Sequence, residues 1–220
     1  MRSNRSLAAL AALAAIVSVL PGGARAEDIQ RGAEIFQLCT QCHQANGEGS
    51  QLALAPALAG LAPWWVSKQL ESFKTGVRGT NPEDTAGLRM YPMSQTLKTA
   101  EDIAAVTAYV ATLPAHKPPT TLAGGDPTRG AQLYQVCTPC HGPDASGNQT
   151  IGAPALANQN DWYLLVSLQK YQAGIRSRDN LAAVMRGMAG TLPDDQAKKD
   201  VIAYIVSLTP QTPAASAAAK

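Results

Sequence analysis

Two five-residue runs constrain this chain more than anything else in it. Cys39-Thr40-Gln41-Cys42 is followed at once by His43, and Cys137-Thr138-Pro139-Cys140 at once by His141. Together they use all four Cys and two of the three His among 220 residues. They stand 98 positions apart, and the same shift superposes much else. Arg31-Gly32-Ala33 falls on Arg129-Gly130-Ala131, Ala55-Pro56-Ala57-Leu58 on Ala153-Pro154-Ala155-Leu156, Trp64 on Trp162, and Arg78 on Arg176. Past Arg176 the shift drops to 95, which pairs Met90 with Met185 and Ala108-Tyr109 with Ala203-Tyr204. Such a length change belongs in a surface loop. A long period occurring only twice is a tandem duplication of one domain, not a solenoid.

The repeat sets the domain plan: a first domain over 27–114, a linker over 115–125, a second domain over 126–210 and a flexible tail over 211–220. The linker, Pro-rich then Gly-rich, has no periodicity. Ahead of the first domain, residues 1–26 read as an export signal. Arg2 and Arg5 precede an apolar stretch from Leu7 to Leu20, then Pro21-Gly22-Gly23 and the cleavage pattern Ala24-Arg25-Ala26. A stretch of 14 residues is short of the ~20 that span a bilayer. The expected location is the periplasm.

Charge excludes one class of partner. Eighteen Lys and Arg against 16 Asp and Glu give a formal +2, and three of those Arg leave with the export segment. Nothing here makes the basic footprint of a nucleic-acid binder. Peripheral membrane association is compatible with the sequence.

Each copy reads as helices joined by long loops, with no β-alternation of useful length, so the expected fold is all-α. A helix near Ile29–Leu38 leads into Cys-x-x-Cys-His. A second starts at Pro63, a residue suited to a first helical turn, and carries Trp64, Val66, Leu70 and Phe73. The last opens at Thr99 with Asp102 three positions on, and runs through Ile103, Val106 and Val110. Asp126-Pro127 and Asp161 mark corresponding starts in the second copy. Loops this long, in domains with 5% aromatic residues and much Ala, need something to pack against.

A covalently attached haem in each domain supplies it. The two thiols add across the haem vinyl groups, two intervening residues bring them about one helical turn apart, and the adjacent His lies under the iron. Rival readings fit less well. A zinc site lacks a ligand in each domain, a thioredoxin-like pair lacks its βαβ unit, and two disulfides would not require a His after each pair. The cofactor-binding set is therefore Cys39, Cys42 and His43 in one domain and Cys137, Cys140 and His141 in the other. All internal Met lie in two M-x-x-M segments, Met90/Met93 and Met185/Met188, an odd distribution for core filler. One Met per domain is expected on the iron, and internal alignment does not choose between the members of each pair.

Cys-x-x-Cys-His, the later Ala-Pro-Ala-Leu, the Trp-led helix ending in Gly-(Val/Ile)-Arg, the Met and the final Ala-Tyr helix resemble the class I c-type cytochromes, specifically the dihaem cytochromes of the c4 type. The resemblance spans nearly all of 27–210. It implies two tandem cytochrome c-like domains, each wrapped around one haem c. It implies His43 with Met90, and His141 with Met185, as iron ligands, and the Pro56 and Pro154 carbonyls as acceptors of the proximal His Nδ1–H. It further implies a non-enzymatic electron carrier between a quinol-oxidising complex and a terminal oxidase or reductase. The alternative is a cytochrome subunit of a periplasmic oxidoreductase complex. Arg78 and Arg176 read either as partners of haem propionates or as cations facing a helix terminus. Trp64 and Trp162 read as haem-packing core, and His116 as a solvated linker residue.

Overall fold

A computed structural model describes residues 25–208. All but the last two residues of the export segment, and the whole tail, fall outside that range. Among the described residues the protein is helical, its only strand-like pairings being the isolated bridges Ser50–Ala55 and Asn148–Ala153 at equivalent places in the two copies. The first copy holds α1 (Ala26–His43), α2 (Pro63–Lys74), α3 (Thr85–Gln95) and α4 (Ala100–Val110). The second holds α5 (Pro127–Leu133), a 3-10 turn (Tyr134–Val136), α6 (Thr138–His141), α7 (Asp161–Gln172), α8 (Asn180–Gly190) and α9 (Asp195–Ser207).

Local chemistry explains where these helices start. Thr99 accepts from the Asp102 N–H while Asp102 reaches back to the Thr99 N–H, a complete capping box for α4. Asp126, Asp179 and Asp194 each accept from backbone N–H groups in the first turn of α5, α8 and α9. The first helix runs further than its apolar pattern predicts, continuing through both Cys to His43. In the second copy the same stretch breaks into α5, the 3-10 turn and α6, with Pro139 inside the last. Two helices were absent from the sequence reading, α3 and α8. They carry the M-x-x-M segments, so both Met pairs sit on helices at i and i+3, on one face.

In each copy the first and last helices cross at a glycine. A β carbon on Gly32 would lie 2.1 Å from the Ala105 carbonyl oxygen, and one on Gly130 would lie 1.9 Å from that of Asp200. The crossings are clasped by ion pairs, Arg31–Asp102 at 2.5 Å and Arg129–Asp200 at 2.8 Å. Beneath them lie two separate cores. Phe36, Val66, Ile103, Val106 and Val110 fill the first; Tyr134, Leu164, Val201, Ile202 and Ile205 fill the second. Phe36 and Tyr134 occupy equivalent positions, each 1% exposed, against Tyr109 and Tyr204 of the crossing helix.

The copies dock directly. Lys170 of α7 pairs with buried Asp84 at 2.5 Å, Asn81 donates to the Ile175 carbonyl at 3.4 Å, and Gln159 and Asn160 reach Ala57. The connecting segment is tied down as well. Asp161, at the start of α7, accepts from the Thr121 N–H, the Thr121 hydroxyl and the Leu122 N–H at 2.5, 2.6 and 2.8 Å. His116 is half-buried with its Nε2 shut off from water, which corrects the expectation of a solvated linker side chain.

Candidate functional site

Each Cys-x-x-Cys-His run ends a helix and turns sharply. The residue after each His has a positive φ, 68° at Gln44 and 78° at Gly142. This turn sends the following loop back across the His. The His43 Nδ1 meets the Pro56 carbonyl oxygen at 2.8 Å, and the His141 Nδ1 meets that of Pro154 at 2.8 Å. A carbonyl can only accept, so Nδ1 carries the proton and Nε2 presents its lone pair. Both rings are buried, at 7% and 5% exposure. Burial pushes both imidazoles below the ordinary His range, against the smaller opposing effect of the Pro carbonyls. Each ring is oriented by a backbone carbonyl 13 residues away.

None of the four Cys is paired in a disulfide. Burial, and then the neighbouring Cys42, push the Cys39 thiol up to about 11. Burial, and then Cys140, push Cys137 up too. A thiolate-bound metal ion would need further ligands beside each Cys pair. Among the described residues no three His, Cys, Asp or Glu converge to hold one.

In the second copy these residues open onto one cleft of about 1320 Å³, its mouth included, whose walls contain Cys137, Cys140, His141, Pro154, Met185 and Met188. Much of the remaining wall is aliphatic, including Leu156, Leu164, Leu168, Ile202 and Ile205. Thiols, a neutral imidazole, thioethers and hydrocarbon walls are the donor set and surface that a covalent haem takes. The residues fit the group.

Aromatic residues enter this cleft differently from the sequence reading. Its wall holds Tyr163 and Tyr171, and also Trp65 from the first copy. Trp162 is buried but is not part of that wall. Trp65 and Tyr163 are the equivalent pair, one position past the Trp pair singled out from sequence.

The two matched arginines meet at the seam between the copies. Arg78 stacks 4.3 Å over Phe73, Arg176 stacks 4.4 Å over Tyr171, and both line a small crevice with Asn81, Asp84 and Arg178. The Arg78 Nε is enclosed without a hydrogen-bond partner, while its Nη1 donates to Gln69. Burial, then the Arg176 charge, weaken the hold of Arg78 on its proton. Burial alone would raise the Tyr163 phenol, but these two cations bring it down to about 8.

Comparison with known proteins agrees with the geometry. The family described as Cytochrome c matches residues 29–114 and again 127–209. Cytochrome c4 of Azotobacter vinelandii is 29% identical over 81% of this chain and 86% of its own. A thiosulfate dehydrogenase electron acceptor of Thiomonas intermedia is 31% identical over 83% of each chain. The crystal structure of reduced cytochrome c4 from Pseudomonas stutzeri superposes with a TM-score of 0.67 at 26% identity, covering 86% of this chain and all of that one. Two Cys-x-x-Cys-His motifs give two covalent haem c groups. The chain belongs to the cytochrome c family, as a dihaem electron carrier of the cytochrome c4 type.

Proposed function

We propose that the protein works in the periplasm, accepting single electrons from a quinol-oxidising complex and passing them to a terminal oxidase or reductase. It is delivered there by residues 1–26. When bound, haem c supplies a one-electron iron couple. His43 and Met90 in the domain over 27–114, and His141 and Met185 in that over 126–210, are the residues that would hold the iron. With a His and a Met both bound to it, the iron would have no open site for a substrate, and outer-sphere electron transfer is the chemistry that the group would supply.

The observation that carries this reading is the matched pair of His–Pro contacts, both 2.8 Å. An outer acceptor on Nδ1 fixes the tautomer and strengthens Nε2 as a ligand. Met185 is half-buried on the cleft wall, while Met188 is 38% exposed, which favours the earlier Met in that domain. Arg78 and Arg176, two cations brought together in a crevice, suit the propionate carboxylates. Mass spectrometry of the mature protein tests the whole: polypeptide from residue 27 plus two haems, kept through acid-acetone extraction, is expected. Bare polypeptide would end the reading.

The relative named as an electron acceptor of thiosulfate dehydrogenase favours a second reading, a cytochrome subunit that takes electrons from a periplasmic dehydrogenase. Stoichiometric co-purification with such an enzyme would select it; elution as a free protein selects the carrier.

A further inference from the structure

The peptide group joining Pro56 to Ala57 is held at both ends. Its carbonyl oxygen accepts the His43 Nδ1–H. Its N–H, on Ala57, donates to two side chains of the other domain, Oδ1 of Asn160 at 2.7 Å and Oε1 of Gln159 at 3.0 Å. Gln159 donates back to the Ala57 carbonyl at 3.0 Å, and Asn160 donates to the Glu48 carbonyl at 3.3 Å. The Asn160 N–H in turn donates to the Gln159 Oε1 at 3.0 Å, which fixes the two amides relative to each other. Ala57 is fully enclosed, and Gln159 and Asn160 are 6% and 7% exposed. A buried amide network with its groups satisfied is rigid, and its dipoles reinforce one another.

The copies differ at this point. The positions equivalent to Gln159 and Asn160 in the first domain are Leu61 and Ala62. Their side chains offer no oxygen, so they return no such clamp to Pro154–Ala155.

We infer that Gln159 and Asn160 are positioning residues for His43, so that the second domain sets the reduction potential of the first domain's haem. A peptide group is a single conjugated dipole. Acceptors on its N–H draw electron density towards its carbonyl oxygen, by roughly 10–30% in bond strength per linked hydrogen bond. A stronger acceptor pulls harder on the Nδ1 proton, makes the imidazole a better donor, and stabilises ferric iron. The clamp therefore lowers the potential of the first haem relative to the second, and ties it to domain docking. The inference rests on His43 being an iron ligand.

The test compares the holoprotein with Gln159→Leu/Asn160→Ala, which gives the second domain the residues of the first. Asn160 makes no side-chain cap on α7, so the helix start is kept. A redox titration followed by NMR, with the methyl resonances of each haem assigned, reads the potentials separately. The first haem should become easier to reduce, raising its reduced-to-oxidised ratio at a given potential by about fivefold, while the second is unmoved. The Ala57 amide should exchange faster, and the His43 Nδ1–H resonance should move. Asn160→Asp, which keeps the acceptor, should not raise the potential. Arg178→Ala, which cuts a separate contact to the Gly76 carbonyl, should leave it in place. If the double variant does not load haem, Asn160→Ala alone is read by the same criteria. Faster Ala57 exchange with neither potential moved overturns the inference, as does an equal rise of both with an expanded scattering profile. A wild-type spectrum without low-spin, His-ligated haem would instead overturn the ligation itself.

Discussion

Gly130 passes the backbone of Asp200 so closely that one added methyl group would lie 1.9 Å from the Asp200 carbonyl oxygen. Gly32 and Ala105 repeat the relationship in the first domain. Helices that approach this far leave no room for repacking, because the opposing atom is backbone. Gly32→Ala and Gly130→Ala should each destabilise their own domain by about 3 kcal/mol or more. The corresponding fall in Tm is roughly 10 °C or more, and calorimetry should assign each loss to one of two transitions.

Lys170 and Asp84 join the domains through a pair in which the carboxylate side chain is 3% exposed and the ammonium-bearing one 17%. Breaking a buried pair from one side leaves an uncompensated charge. Lys170→Met should cost about 3 kcal/mol and loosen the docked arrangement, seen as a larger radius by X-ray scattering. An unchanged radius and stability would place the docking energy elsewhere in the seam.

Three buried carboxylates set an acid limit. Burial alone would raise Asp84, Asp161 and Asp200, but hydrogen bonds outweigh it: from Lys170 and the Gly87 N–H, from Thr121 and the Leu122 N–H, and from the Asp126 N–H and Gln196. All three end below the ordinary value of 3.8. A carboxylate whose pKa falls on folding contributes stability above its unfolded pKa and loses it as pH drops through its folded one. Thermal stability should therefore be flat from neutral pH to about 5 and fall steeply below about 4. Asp161→Asn should lower stability at neutral pH and shrink that acid fall.

Methionine substitutions separate ligand from packing. Met90→Leu and Met185→Leu should each remove half of the weak far-red iron–thioether absorption and lower one haem's potential. Met93→Leu and Met188→Leu should leave both in place, at a stability cost near 1 kcal/mol. The opposite pattern in either domain would move its ligand by three residues.

Much of this architecture is legible in sequence because it is local or repeated. Thr99 with Asp102, Pro63 and Asp126-Pro127 announce helix starts, and the 98-residue shift announces the second domain. What escaped is instructive. The helix from Thr85 to Gln95 holds Gly87 and Pro92, and these breakers mask it although Asp84 and Asp179 offer cap signals in both copies. The Gln159–Ala57 clamp joins residues 102 apart; no periodicity records it, and it shows in sequence only as a place where the copies disagree. In the second copy the cleft wall takes Tyr163 and not Trp162, one position along, because helical phase is set by packing that composition does not reveal.

The presence of Trp65 in the wall of the second domain's cleft means that the duplication is more than two beads on a string. The domain made first contributes part of the container for the cofactor of the domain made second. A half released from its neighbour would lose a wall, not merely a companion. Two modules that arose as copies of one another are no longer self-sufficient containers, since the C-terminal one borrows part of its enclosure from its neighbour.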